Sequence, residues 1–291
     1  LVSVTLPEAA VAVGLPAGQV GGGWLSGMLA ALPAELPLTV VSVDARTKTA
    51  RSGKTDGVRY LVVPDVSGFG AILARLQPDL VHIWGTEYTA ALAMQQEAAR
   101  QNLPVLVGIQ GVMCDCAEHL CDDVPPQYRH SNWIQRGIDR VVPGGLLDKM
   151  QANFDALAQS EARLLAGARH VTGRTGFDRR AVARLAPDAR YYPCDETLRP
   201  VFWQSAGSWR ARWPPLDKGK LLRPVIDAMF PYQTWCKKLI ARGKLEGHVQ
   251  YTGPLQAAQM RQAYLDADLF LLTSYSENSP NSLGEAMLLG M

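Results

Sequence analysis

Glu277 and Glu285 are the residues whose type and spacing most directly suggest chemistry. They lie in the stretch Leu269-Phe-Leu-Leu-Thr-Ser-Tyr-Ser-Glu-Asn-Ser-Pro-Asn-Ser-Leu-Gly-Glu-Ala-Met-Leu-Leu-Gly290. Its pattern predicts a buried strand, then a polar loop carrying Glu277, then a helix carrying Glu285. Ser279 followed by Pro280 predicts an N-cap with proline at the first helical position. Ser282 with Glu285 three residues on offers an alternative capping box. Either start puts a helix N-terminus at the carboxyl end of a strand, where N–H groups and the helix dipole suit an anion such as a diphosphate. A carboxylate accepts paired hydrogen bonds from vicinal hydroxyls. Two acids bracketing an anion site therefore fit a ligand with a polyol on each side of its phosphates. The plain alternative is a loop acid and a helix-capping acid.

Other candidates fall where predicted strands end. These are the loop closing on Gly21, Gly22 and Gly23, the run from His82 to Glu87, Gln110-Gly111, and Gly173-Arg174-Thr175. In a parallel sheet covered on both faces, ligands sit beyond the carboxyl ends of the strands. Gly22 and Gly23 let a backbone approach a phosphate closely, or form a plain turn. His82 is a ligand contact or a packed histidine. Glu87 and Arg174 are cleft residues or structural ion pairs. Cys114, Cys116, His119 and Cys121 offer four soft ligands within eight residues, but the tight Cys-x-Cys pair strains tetrahedral geometry, so no metal site is assigned. Tyr128, Arg129, His130, Trp133 and Arg136 suit an acceptor groove or a solvated helix face equally well.

The elements that must position these residues are short and alternate. Apolar runs at 1–5, 38–43, 60–63, 80–84, 105–109 and 170–172 predict strands. Helical periodicity covers 25–32 and 87–100, and a longer stripe runs through Leu147, Met150, Phe154, Leu157 and Leu164. This reads as parallel βαβ units in an α/β fold. The pattern restarts after a boundary between Cys194 and Trp203, with helices at 232–242, 256–265 and from Asn281, and strands at 249–252 and 269–273. Two strands are too few for a full second sheet. No strand is legible in Trp209 to Lys220, so the sequence is expected to be incomplete near Pro215–Leu216 and after Met291. The chain of 291 residues divides into a first domain, 1–195, a crossover, 196–215, and a partial second domain, 216–291.

Composition excludes some functions. A hydrophobic share of 47% with 19% charged residues is that of a folded globular chain. A net charge of +2 gives no basic field for nucleic acid, while leaving room for contact with an anionic membrane surface. No apolar run is long enough to span a bilayer. The start reads as a strand rather than a signal peptide. Five cysteines, an odd number, fit a reducing cytoplasm.

The Glu277 to Glu285 spacing, E-x7-E, resembles the signature of the large retaining glycosyltransferase family 4. The surrounding Ser-Glu-Asn-Ser-Pro-Asn-Ser-Leu-Gly-Glu-Ala-Met looks like bacterial members that build surface polysaccharides. Val249-Gln-Tyr-Thr-Gly-Pro-Leu255, Asp79-Leu-Val-His-Ile-Trp-Gly85, Gly173-Arg-Thr-Gly-Phe-Asp178 and Cys194-Asp-Glu-Thr-Leu-Arg-Pro-Val-Phe202 are similar to segments of the same family. The resemblance implies a GT-B fold, two Rossmann-like doubly wound domains facing a cleft, with the second domain incomplete here. It implies transfer of a sugar from a nucleotide-diphosphate sugar to a glycan or lipid-linked acceptor, with retention and without a metal or other cofactor, at or near the cytoplasmic face of a membrane. Glu277 would hold the donor sugar and Glu285 the ribose. Asn278 and Ser279 would line the donor site, backbone N–H groups of Asn281, Ser282 and Leu283 would hold the diphosphate, and Gly253 would border the base. Gly22 and Gly23 would approach the phosphates, with His82, Glu87, Gln110 and Arg174 on the acceptor side. The family's Arg and Lys on the first strand-loop of the second domain have no counterpart in this sequence, and Gln110 stands where many relatives have His. A nucleotide-sugar epimerase or hydrolase on the same fold, or an inactive nucleotide-binding scaffold, are the competing readings.

Overall fold

The computed structural model describes residues 4–16, 23–33, 35–120, 122, 147–195, 197–210, 221–223, 237–252, 255–272, 278 and 280–291. The chain divides into two compact units. One comprises 1–116, 155–199 and 276–279, the other 117–154, 200–275 and 280–291.

In the first unit, α1 (Pro7–Val13) and α2 (Gly23–Ala31) precede a three-stranded sheet of β1 (Thr39–Val43), β2 (Arg51–Thr55) and β3 (Val58–Val63), in the order β1-β3-β2. β1 and β3 are parallel, with Val41 opposite Leu61. β2 and β3 form an antiparallel hairpin. Beyond α3 (Phe69–Leu76), a parallel four-stranded sheet runs β4 (Val81–Trp84), β5 (Val105–Gly108), β6 (His170–Gly173), β7 (Arg190–Pro193) in sequential order. Its crossovers contain α4 (Thr89–Arg100), α5 (Met113–His119), α6 (Leu147–Ala166) and α7 (Gly176–Leu185).

The strands read as continuous apolar runs because both faces of the sheet are covered. Alternate side chains of one strand enter different cores. Val41, Leu61, Val63 and Ile83 join the cluster that includes Met94, Val107, Leu164, Val171 and Val182. Val40, Tyr60, Val62 and Trp84 join the other, with Leu6, Ala9 and Leu25.

The structure departs from the expected elements in several places. Residues 4 and 5 are not a strand. Thr5 is buried, its hydroxyl bonded to Asp44, and α1 follows at once with Pro7 at its start. The missed β2 is polar and largely exposed. It is defined by the turn at Asp56 (φ 49°) and Gly57 (φ 82°), the positive-φ pair of a tight hairpin. β7 was also missed, being an edge strand rich in Tyr and Arg.

In the second unit, α8 (Pro200–Trp203), β8 (Leu221–Arg223), β9 (Val249–Tyr251), α9 (Ala257–Asp266) and α10 (Asn281–Leu289) are described. Residues 237–242 are helical, matching the described part of the helix expected there. β8 and β9 pair in parallel, so a strand does stand just beyond Lys220. Phe202, Tyr264 and Leu289 form the buried centre. The N–H groups of Gly207 and Trp209 bond to the carbonyls of Leu288 and Leu289, fixing the end of α10. The expected buried strand at 269–273 is corrected. Residues 269–272 are not in a strand, and Leu269 and Leu271 are 71% and 56% exposed. Among the described residues no strand pairs with them, and an apolar run without a ladder partner cannot be a strand.

Candidate functional site

Each unit carries part of the expected site. In the first, the strand ends converge through hydrogen bonds. β4 closes on Gly85, whose φ of 98° turns the chain. Thr86 and Glu87 follow. Glu87 Oε1 accepts the Gly111 N–H at 3.0 Å, tying the loop after β4 to the loop after β5. Burial raises the Glu87 carboxyl above its ordinary pKa, with backbone hydrogen bonds opposing. Thr86 Oγ1 donates to Glu161 Oε1 at 2.5 Å, and the Gly111 carbonyl lies 3.2 Å from the same hydroxyl. The other Glu161 oxygen accepts the Cys114 N–H at 2.9 Å.

His82 sits inside β4, its ring tilted over Trp84 at 4.6 Å. Burial pushes its pKa down to about 4, so the imidazole is neutral at ordinary pH. Arg174 reaches Gln110 through that residue's backbone carbonyl. Arg174 Nη2 donates to the Gln110 carbonyl at 2.9 Å and to the Asn278 carbonyl at 3.0 Å. The Asn278 amide donates to the same Gln110 carbonyl at 3.0 Å and accepts from Thr175 Oγ1 at 2.8 Å. Thr175 also caps α7 in a reciprocal box with Asp178, whose carboxylate takes the Arg174 and Thr175 N–H groups. Gly173 is required here: a Cβ would lie 2.7 Å from Asp178 Oδ2 and 2.9 Å from the Tyr191 hydroxyl.

In the second unit, Glu285 is 1% exposed on α10. The helix start differs from both expectations. Asn281 is its first residue and Pro280 its N-cap, with ψ of 118° and no side-chain cap. Ser282 and Glu285 are therefore two residues too deep to form a capping box. The Leu283 and Gly284 N–H groups donate to the Pro280 carbonyl, so the Leu283 N–H is engaged within the helix. Asn281 and Ser282 lie in the first turn. Gly23 opens α2. Glu277, Ser279, Gly253 and Gly22 lie outside the described residues, as do Cys121 and the group from Tyr128 to Arg136.

Among the described residues, no cluster of His, Cys, Asp or Glu could hold a metal. His119 Nδ1 is 2.7 Å from Asp122, and the Cys114 thiol, pushed up to about 11 by burial, faces the Ala158 carbonyl. No described helix is long and apolar enough to cross a membrane. A groove of about 320 Å³ between α4 and α6, lined by Leu92, Ala93, Ser160 and Arg163 among others, contains none of the expected site residues. Glu161 was missed from sequence, although a signal existed. It falls on the apolar stripe of α6, four residues after Leu157 and three before Leu164, where a carboxylate needs buried partners.

No family model and no curated protein matches the chain. Solved structures do. A sucrose-phosphate synthase from Thermosynechococcus elongatus matches with a TM-score of 0.60 at 13% identity, covering 99% of this chain and 78% of that one. An apo structure of OtsA matches with a TM-score of 0.53 at 11% identity, covering 92% of this chain and 78% of that one. Both are GT-B structures, and this chain shares the α/β, parallel-sheet architecture. The fold is GT-B. That explains why candidate residues gather at strand ends, since in such sheets ligands bind there. At these identities the likeness speaks for the fold alone.

Proposed function

We propose that this chain is a glycosyltransferase, moving a sugar from a nucleotide-diphosphate sugar to a glycan or lipid-linked acceptor. The observation that carries the reading is the likeness, over 99% of the chain, to a sucrose-phosphate synthase of GT-B fold. The E-x7-E spacing is what the sequence adds to it. The finer assignment is to retaining family 4, in surface polysaccharide synthesis on the cytoplasmic side of a membrane, with no metal required.

In this reading Glu285 holds the ribose and Glu277 the donor sugar. The first turn of α10, at Asn281 and Ser282, faces the diphosphate, and Leu283 contributes only if its N–H leaves Pro280. Asn278 and Ser279 line the donor site, and Gly253, Gly22 and Gly23 approach the nucleotide. His82, Glu87, Gln110 and Arg174 belong to the acceptor side, where the neutral His82 acts as a hydrogen-bonding group rather than a cation. Departing diphosphate takes part in removing the acceptor's proton.

A donor panel tests the reading. UDP-, GDP- and ADP-sugars are incubated with the protein, with and without glycan acceptors, while nucleoside diphosphate release is followed. Release that depends on acceptor is expected with at least one donor. Sugar isomerisation without acceptor, or binding with no turnover, would count against transfer.

A further inference from the structure

Glu161 is 0% exposed, on the face of α6 that packs into the main core beside Leu164 and Leu165. A carboxylate is an expensive choice there. Its partners described above, the Thr86 hydroxyl and the Cys114 N–H, are both neutral, and such pairing rarely repays the loss of hydration against an apolar side chain of similar size. A leucine would continue the stripe of Leu157 and Leu164. Fold stability therefore does not account for Glu161, but its two attachments do mark out a task. Thr86 directly precedes Glu87, and Cys114 follows Gly111 by three residues. One buried carboxylate thus grips both loops on either side of the Glu87–Gly111 contact.

We propose that Glu161 is a positioning residue for the acceptor side: it locks the loops after β4 and β5 so that Glu87 and Gly111 present a fixed surface to an acceptor hydroxyl. The role rests on the glycosyltransferase reading above. Glu161 itself does not touch the sugar. A glutamine can take over the grip. Its oxygen accepts from Cys114 N–H and its amide donates to Thr86 Oγ1, whose single hydrogen then turns to the Gly111 carbonyl 3.2 Å away.

The test uses Glu161→Gln and the double variant Glu161→Leu with Thr86→Val. The double variant removes the carboxylate together with the hydroxyl that would otherwise be stranded. Three quantities are read: thermal midpoint and nucleoside diphosphate affinity, acceptor kcat/KM, and amide hydrogen exchange in peptides covering 85–90 and 108–116. The double variant should stay folded with a midpoint lowered only slightly by the unpaired Cys114 N–H, keep the nucleotide affinity, lose roughly ten-fold in acceptor kcat/KM, the scale of a buried hydrogen bond left unmade, and exchange faster in both peptides. Glu161→Gln should stay close to wild type in all three. A double variant with wild-type acceptor kinetics and protection overturns the proposal, as does nucleotide affinity falling in step with acceptor turnover. If the double variant does not fold, Thr86→Val alone carries the same kinetic and exchange expectations with a lowered midpoint, because it takes a partner from the buried Glu161 carboxylate. If the wild-type chain turns over no donor, the exchange readout decides alone. Faster exchange upholds the loop-locking while the glycosyltransferase reading falls, and unchanged exchange removes the role.

Discussion

Burial shifts two ionisable residues, one on β4 and one just after it, toward their neutral forms. Glu87 is held toward its neutral acid and His82 toward its neutral base. For His82 the consequence reaches stability. The unfolded chain takes up a proton near pH 6.5, whereas the folded chain refuses it until about pH 4. Its contribution is therefore fully present above pH 6.5 and is lost as pH falls toward 4, because the unfolded state binds more protons across that window. Between pH 7 and pH 4.5 the loss should be about 2 kcal/mol. Denaturant unfolding of wild type and His82→Leu at the two pH values checks this. The variant should lose less by about that amount, and equal losses would contradict the burial argument.

The clearest element-scale constraint is the contact of α1 with β2. Gly53 lies so close to α1 that a Cβ there would sit 1.9 Å from the Ala12 carbonyl oxygen. Gly53→Ala should destabilise the protein by about 1–3 kcal/mol, the range for forced overpacking. An unchanged denaturation midpoint would mean that α1 does not pack there. That contact was not legible in the sequence, because neither element was. β2 is a polar hairpin arm and α1 a short alanine-rich turn after Pro7, so neither shows a long apolar period. β1, β3, β4 and β5 were legible because burial on two faces writes them as runs rich in Val, Ile and Leu. Leu269–Leu272 has the same composition yet forms no strand, since sequence pattern cannot report whether a ladder partner is present. The start of α10 was misjudged by one residue because proline at φ near −63° fits a cap as well as a first turn.

At the scale of the whole molecule, 13% identity accompanies a GT-B likeness over 99% of the chain. What the fold demands is the spacing of apolar strands and covering helices, which many sequences satisfy. Of the described candidates, Glu87, Gln110 and Arg174 were legible as residues following strands, and Asn281 and Ser282 as a late helix start. The site was not legible in its supports: Glu161 and the hold on Asn278 depend on residues tens of positions apart meeting in space. The central claim is that Glu285 and Glu277 divide the recognition of a nucleotide sugar between them. Titrating nucleoside diphosphates into wild type, Glu285→Ala and Glu277→Gln tests it most directly. Wild type should bind at least one, Glu285→Ala should weaken that binding by about 1–3 kcal/mol, and Glu277→Gln should bind as wild type does while losing sugar-dependent turnover. A wild-type chain that binds none of them, or a Glu285→Ala variant of unchanged affinity, would contradict the account.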